Sequence, residues 1–376
     1  MNLDKTTNKI AIDLLWVRPG KVGGTEVYTR NLLDGFMSLK EVFHFALLVS
    51  KDNAETFEHY AKDPRFELLI ADTVSANIGG RIIWQYLHES RFLKKNGITT
   101  CFVPVYCRPF FNGGVTYINT IHDIQAYHFP GYHPFHENFY SIVTWFAAAK
   151  FSKYIITTSE HVKNDIVKSF GFKEDRITVL PIPVTADPEK TVPFETLEAK
   201  YSIKKGEYYY TVSQNIPHKN FATLVKVIAK IKEQKQDLPA KLLVSGISGN
   251  ASGELSDLID RLGVRDNIIQ TGYISDEEKN TLTMNAKAFL FPSYFEGFGI
   301  PPVEAMMLGQ RVITTTATSI PEVTLGKAEY VEDYMNPDAW IHVMSENTYP
   351  IVSKSDFVCY DRDALAKRYY GFLSKI

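Results

Sequence analysis

Along most of the chain, short apolar runs rich in Val, Ile, Tyr and Phe alternate with segments of helical periodicity, the pattern of parallel sheets covered by helices on both faces. The first run, KIAIDLLWV (9–17), reads as a buried strand, followed by a loop containing Gly20, Gly23 and Gly24 and a helix over about 25–39. Further strands are expected at 43–50, 66–71, 100–105, 115–123, 153–159 and 176–183, with helices over 80–96, 136–150 and 160–170, the last opened by Ser159 as N-cap. From about 183 to 206 the chain is rich in proline and charge and poor in apolar positions, which marks a domain boundary. A second series then begins, with strands at 208–213, 241–246, 267–272, 288–293 and 311–316 and helices near 219–234, 252–263, 276–286 and 301–309. Residues 362–375 read as a terminal helix. The expectation is an α/β protein of two Rossmann-like, doubly wound domains facing across a cleft, at 1–190 and 191–355, with 356–376 crossing back to the first domain.

Length agrees with that division, because 376 residues exceed what one hydrophobic core usually supports. No period of 20–50 residues recurs, so the chain is not a solenoid. Forty-one Lys+Arg against forty-three Asp+Glu leave a net charge of −2, and no whole-protein field favours nucleic acid. The three cysteines, Cys101, Cys107 and Cys359, form no CxxC pair and cannot all pair within one chain, which fits a reducing compartment. Each is expected to be a small buried apolar residue. The start lacks a charged segment followed by an apolar one, and the apolar runs fall short of the ~20 residues a spanning helix needs, so a cytoplasmic protein without a transmembrane anchor is expected.

The stretch PSYFEGFGIPPVEAMMLGQRVITTT (292–316) carries the most specific chemistry. It places Glu296 in a loop leaving a strand and Glu304 in the helix that follows, with Gly297 and Gly299 allowing close backbone approach and Pro301 and Pro302 suiting a first helical turn. Ionised carboxylates only accept hydrogen bonds, so a pair of them at the carboxyl end of a parallel sheet suits a ligand bearing several hydroxyls, such as a sugar or a ribose. Taken alone, Glu296 reads first as a solvated loop charge and Glu304 as an acid stabilised in a helix's first turn, and only the surrounding residues change that.

As a whole this stretch resembles the signature of family 4 glycosyltransferases, retaining enzymes of the GT-B fold, in which two glutamates separated by seven residues lie in a loop of the form FPSxxEGFGxPxxEAM. The resemblance extends into TGYISDEEKNTLTMNAKAFLFPS (271–293) and TSIPEV (318–323), is strong from about 210 to 323 and weakens before 115. It implies that Glu304 holds the donor's ribose, that Glu296 contacts the transferred sugar, and that Gly297, Phe298, Gly299 and Ile300 line the donor site. Arg311 stands where the family usually has proline, a departure expected to concern the start of a strand rather than chemistry.

A nucleotide-sugar donor carries two phosphates, which call for cations and N–H groups. SQNIPHKNFATL (213–224) resembles the family's PRKN segment and makes Lys219 the diphosphate contact, with Ser213 and Gln214 where many members carry an arginine and His218 in place of the segment's own. Gly23 and Gly24 resemble the glycine loop that offers N–H groups to the phosphates, and SGISG (245–249), with Gly246, is a further contact to the nucleotide. His122 and Asp123 resemble a His-Asp pair after a central strand, the histidine touching the donor sugar or its phosphate and the aspartate orienting the imidazole. Four of the ten histidines lie between 122 and 136, but their spacings give no HxH or HExxH, so no metal is expected. The aromatics of 127–154 read first as core and loop packing and second as an acceptor groove near a membrane.

The resemblance implies a metal-independent, retaining glycosyltransferase with Glu296, His122 and Lys219 as its catalytic residues and no cofactor. It would move a hexose or deoxyhexose, mannose first, from a nucleotide diphosphate sugar to a glycan or lipid-linked glycan in bacterial surface polysaccharide, including lipopolysaccharide, biosynthesis. A weak peripheral attachment to the inner membrane face fits that role. A nucleotide-sugar epimerase or sugar phosphorylase would keep the fold with another reaction, and a non-catalytic carbohydrate-binding subunit would bind donor without turnover.

Overall fold

The structure is a computed structural model and describes residues 9–21, 23–41, 43–107, 109, 111–132, 135–212, 214, 216–246, 252–346 and 349–376. The chain divides into two compact units, Met1–Pro183 with Cys359–Ile376, and Val184–Val358.

The first unit holds seven parallel strands: β1 (Ile10–Asp13), β2 (Phe45–Ser50), β3 (Phe66–Ala71), β4 (Thr100–Val103), β5 (Thr116–Ile121), β6 (Tyr154–Thr157) and β7 (Ile177–Val179), in the order β3-β2-β1-β4-β5-β6-β7. The central strands β1, β2 and β4 are buried at every position, as a parallel sheet covered on both faces requires. Ser159 caps the helix Glu160–Phe170 by accepting from Val162 N, and Asp361 caps the helix Arg362–Leu373 by accepting from Asp363 N and Ala364 N. The terminal helix packs on Gly24–Ser38 so closely that a Cβ on Gly35 would lie 2.7 Å from Ala366 Cβ, which explains a glycine in mid-helix. Tyr369 of that helix donates to Leu180 O at 2.9 Å, beyond the end of β7.

The second unit has six parallel strands: β8 (Tyr209–Val212), β9 (Leu242–Ser245), β10 (Ile268–Gly272), β11 (Ala288–Phe291), β12 (Val312–Thr315) and β13 (Glu329–Val331), in the order β10-β9-β8-β11-β12-β13. Its core joins Tyr209, Leu224, Ile228, Leu290 and Ile313 to Trp340. Among the elements that escape the sequence pattern are the helix Phe194–Tyr201, which buries Leu197 inside the proline-rich stretch, the four-residue helix Ile320–Val323, the helix Pro337–Ser345, and β13, too short to show a period. Arg311 explains the departure from proline, because its guanidinium takes both oxygens of Glu329, at 2.6 and 2.7 Å, and donates to Val343 O at 3.0 Å. It thereby ties the starts of β12 and β13 to the helix Pro337–Ser345, a task proline's missing N–H and short ring cannot perform.

Two packing expectations need correction. Only Cys101 is buried, whereas Cys107 is half-buried and Cys359, just before the terminal helix, is exposed. Of the aromatics in 127–154, Trp145 is buried, but Tyr127, in the short helix Gln125–His128, is exposed, as are Phe139, Phe146 and Phe151, because the helix Phe135–Phe151 carries aromatic residues on its outer as well as its inner side.

Candidate functional site

In the second unit the carboxyl ends of β8 and β11 lie side by side where the strand order reverses, the position at which open parallel sheets bind ligands. β8 leads through a tight turn, Pro217–Lys219, into the helix Phe221–Gln234; β11 leads through 292–299 into the helix Ile300–Met307. This brings together Lys219 and Glu296, Nζ lying 2.6 Å from Oε1. Their side chains are 16% and 12% exposed, sheltered enough to hold one geometry and still open to a ligand.

The loop around Glu296 is fixed from three sides. His218 O accepts from Tyr294 N at 3.0 Å and from Ser293 Oγ at 3.3 Å. Thr318 Oγ1 accepts from Glu296 N at 3.0 Å, and Ser319 Oγ donates to Glu296 O at 2.9 Å and Phe298 O at 3.1 Å. Thr318 has φ +52°, a left-handed conformation costing a β-branched residue about 1–3 kcal/mol, at the position from which its hydroxyl meets Glu296. Gly299 precedes the helix at φ +94°; a Cβ there would sit 3.7 Å from Pro302 Cγ, so conformation rather than space demands glycine. Gly297 and Phe298 are buried, and Ile300 is the first residue of the helix.

Glu304 projects from that helix to a second lysine, its Oε2 lying 3.3 Å from Nζ of Lys279, which also reaches Asp276 Oδ1 at 3.1 Å. Burial raises the pKa of Glu304, with Lys279 opposing. Burial also works against the charge of Lys279, but Glu304 and Asp276 outweigh it and raise the lysine's pKa. Sequence reasoning missed Lys279 because a lysine in the first turns of a helix is ordinarily solvated; the one available sign was the Ser275–Glu278 capping box, which fixes where its helix begins. In the sequence Thr318 and Ser319 belong only to the matching stretch TSIPEV, and nothing in their spacing marks them as the residues that hold the loop.

Gln214 is exposed, and Ser213 lies outside the described residues. Gly246 follows β9 at φ +135° with its N–H on Gly272 O at 3.1 Å, while 247–249 lie outside the described residues.

The first unit has its own reversal point, between β1 and β4. There Gly23 caps the helix Gly24–Ser38, and a Cβ on Gly23 or Gly24 would meet nothing within 4 Å. His122, directly after β5, places Nε2 2.9 Å from Pro104 O, so that nitrogen donates. The ring meets Tyr28 edge-on at 4.9 Å, and burial pushes its pKa down to about 4. Asp123 accepts from Gln125 N at 3.0 Å, a local turn that opens the helix Gln125–His128. Asp13, at the end of β1, is fully buried; it accepts from Leu15 N and Gln85 Nε2, and burial raises its pKa to about 6. His128 pairs with Asp165 at 2.8 Å; His133 lies outside the described residues, as does the side chain of His136. Among the described residues, no group of three or more His, Cys, Asp or Glu side chains could hold a metal ion.

Two family models match the chain, "Glycosyltransferase Family 4" over 22–187 and "Glycosyl transferases group 1" over 193–346. O-antigen chain mannosyltransferase B of Escherichia coli is 31% identical over 226 residues, covering 59% of this chain and 58% of that protein. O-antigen chain mannosyltransferase RfbU of Salmonella typhimurium is 28% identical over 219 residues, 58% of this chain and 56% of the relative. The matches thus span little more than half of these relatives' length. Among solved structures, sucrose-phosphate synthase from Thermosynechococcus elongatus superposes with a TM-score of 0.75 at 14% identity, covering 98% of both chains. Anabaena HepE in complex with UDP and glucose superposes with a TM-score of 0.71 at 16% identity, covering 98% of this chain and 100% of its own. At such identities the likeness concerns the fold, which is GT-B.

Proposed function

The chain belongs to the family 4 glycosyltransferases, and from that premise we propose that it is a metal-independent, retaining enzyme that moves a sugar from a nucleotide diphosphate donor to a carbohydrate acceptor. The observation that carries this reading is the Lys219–Glu296 pair at the reversal point of the second sheet, with Glu304 on the helix that follows. Lys219 has one N–H engaged by Glu296 and two more to offer a diphosphate. Glu304, ionised, accepts from ribose hydroxyls, and Glu296 accepts from hydroxyls of the transferred sugar.

In the reaction the acceptor's hydroxyl oxygen bonds to the anomeric carbon on the face from which the diphosphate leaves, so configuration is retained. The anomeric C–O bond to the diphosphate breaks, and the hydroxyl proton passes to the departing diphosphate oxygen. Lys219 and nearby backbone N–H groups stabilise the negative charge that builds there. Within the first unit, His122 is a neutral hydrogen-bonding group, since its lowered pKa leaves it uncharged at pH 7.

Mannose from GDP-mannose is the first donor proposed, because the relatives include O-antigen mannosyltransferases; UDP and dTDP sugars follow, and HepE binds UDP. The acceptor proposed is a glycan or lipid-linked glycan of bacterial surface polysaccharide, reached by a cytoplasmic protein peripheral on the inner membrane face. Among the described residues no helix is long and apolar enough to cross a membrane. The test is incubation of the purified chain with each nucleotide sugar and lipid-extracted acceptor in EDTA, the product's anomeric configuration being read by NMR. Transfer with retained configuration is expected; inversion, or release of free sugar alone, would contradict the reading.

A further inference from the structure

We propose that Arg81 is the recognition cation of a site in the first unit for one oxyanion, a phosphate or carboxylate borne by the acceptor. The inference rests on the transferase reading and narrows its acceptor to an acidic one. Arg81, Gln85 and Glu89 follow one another at four-residue spacing along the helix Ile78–Trp84 and the π-helical turn Gln85–Glu89, and all three are buried. Such π-turns inside helices recur at functional sites. Gln85 Nε2 donates to Asp13 Oδ2 at 2.9 Å, and Asp13 Oδ1 accepts from Leu15 N at 2.8 Å. Glu89 lies beside the Tyr117 hydroxyl. Arg81 has no such partner. It is 7% exposed, its Nε is buried without a hydrogen bond, and among the described residues its guanidinium forms no ion pair.

Burying a guanidinium without a partner is costly, and the negative charge of a ligand is what would offset it. The surroundings fit an anion. The charge of Arg81 acts on Asp13, at the end of β1, on Tyr106 and Cys107, in the loop that leaves β4, and on Tyr140 of the helix Phe135–Phe151. This is the reversal point of the first sheet, where open parallel sheets bind ligands. Tyr106, Cys107 and Tyr140 are half-buried, and burial raises the pKa of all three, so at pH 7 they carry neutral O–H and S–H donors. Asp13 is the nearby acid, and its oxygens are already turned to Leu15 and Gln85. A guanidinium's planar fork takes two oxygens at once, so a phosphate or carboxylate fits it where a neutral hydroxyl leaves its charge uncompensated. The donor's diphosphate has Lys219 in the second unit, which leaves Arg81 to the acceptor.

The experiment is calorimetry and thermal melting of the full chain with mannose 6-phosphate, glucuronate, neutral mannose and inorganic phosphate. The wild type should bind an acidic sugar and ignore mannose. Arg81→Met should bind that sugar roughly tenfold to a hundredfold more weakly, and Arg81→Lys, which keeps the charge and loses the fork, should fall between the two. Because Arg81 has no partner within the fold, Arg81→Met should melt no lower than the wild type. A large drop in melting temperature in both variants would show a structural cation and overturn the site. So would acidic probes that the wild type ignores, or that Arg81→Met binds equally well. Inorganic phosphate bound as tightly as the acidic sugars would overturn the acceptor as the source and assign the site to a free anion. The transferase reading fails separately: a chain that transfers no sugar, yet binds the acidic sugars through Arg81, supports the site alone, and a chain that transfers sugar while ignoring every acidic probe overturns the site alone.

Discussion

Each unit has a point where its parallel strand order reverses, and the two are filled in opposite ways. At β8/β11 the side chains are charged, paired at contact distance and partly open, with Lys219 on Glu296 and Lys279 on Glu304. At β1/β4 and the adjoining end of β5 they are held toward neutrality, with fully buried Asp13 pushed up to about 6 and half-buried His122 down to about 4. The same topology thus offers one surface that can exchange an internal ion pair for a charged ligand, and one whose acid and imidazole are pre-set and uncharged. The difference teaches that a reversal point supplies only a place, and that the depth of its side chains decides which chemistry it can do.

Breaking the open side should have the largest effect. Lys219→Ala is expected to lower transfer at least about a hundredfold, as loss of a group that stabilises leaving-group charge does. It also leaves a largely buried Glu296 unpaired, so the melting temperature should fall. Lys219→Ala/Glu296→Ala should regain stability without activity, which steady-state kinetics and thermal melts together would check. Glu304→Ala should weaken nucleotide affinity by roughly tenfold to a hundredfold, the worth of hydrogen bonds to a charged acceptor, with the fold intact. An unfolded Glu304→Ala protein would mean that this glutamate serves its helix rather than a ligand.

Ser319→Ala comes next. It removes two hydrogen bonds to the Glu296 loop and should cost about 2 kcal/mol of stability, measured by urea unfolding, with a higher donor KM.

The pH effects are smaller and separate the two regions. Nucleotide binding needs ionised Glu304, so it is present above that group's raised pKa and lost as pH falls through it. Lys279→Met removes the opposing charge and should move this acid limb to higher pH, which calorimetry at several pH values would read. On the buried side the signs oppose. His122, with its pKa lowered from the usual 6.5 to about 4, loses stability as pH falls from about 6.5 toward 4. Asp13, raised from 3.8 to about 6, loses stability as pH rises across nearly the same window. The wild type should therefore be flat from about pH 4 to 6, while Asp13→Asn destabilises toward acid and His122→Phe toward neutral pH, by urea melts. Equal slopes in both variants would remove the contrast.

Much of the open side was legible in the sequence. The run EGFGIPPVE names its own loop and helix, because two glycines, two prolines and two carboxylates in that order leave few arrangements. Lys279 was not legible, since its ion pair joins residues 25 apart on different helices. The buried side resisted for another reason: Asp13, Gln85 and His122 acquire their character from depth and from contacts such as Pro104 O, and neither is written in spacing. The strands were readable as apolar runs, whereas Phe194–Tyr201 and Glu329–Val331 depend on packing that their own composition does not announce.

The measurement that bears most directly on the central claim is calorimetric binding of GDP, UDP, dTDP and ADP, with the matching monophosphates, to the wild type and to Lys219→Ala in EDTA. One preferred base, tighter binding of the diphosphate than of the monophosphate, and loss of that preference in Lys219→Ala are expected. Equal affinity for both phosphates in the wild type, or a Lys219→Ala protein that keeps the preference, would contradict the placing of the donor's diphosphate at the end of β8.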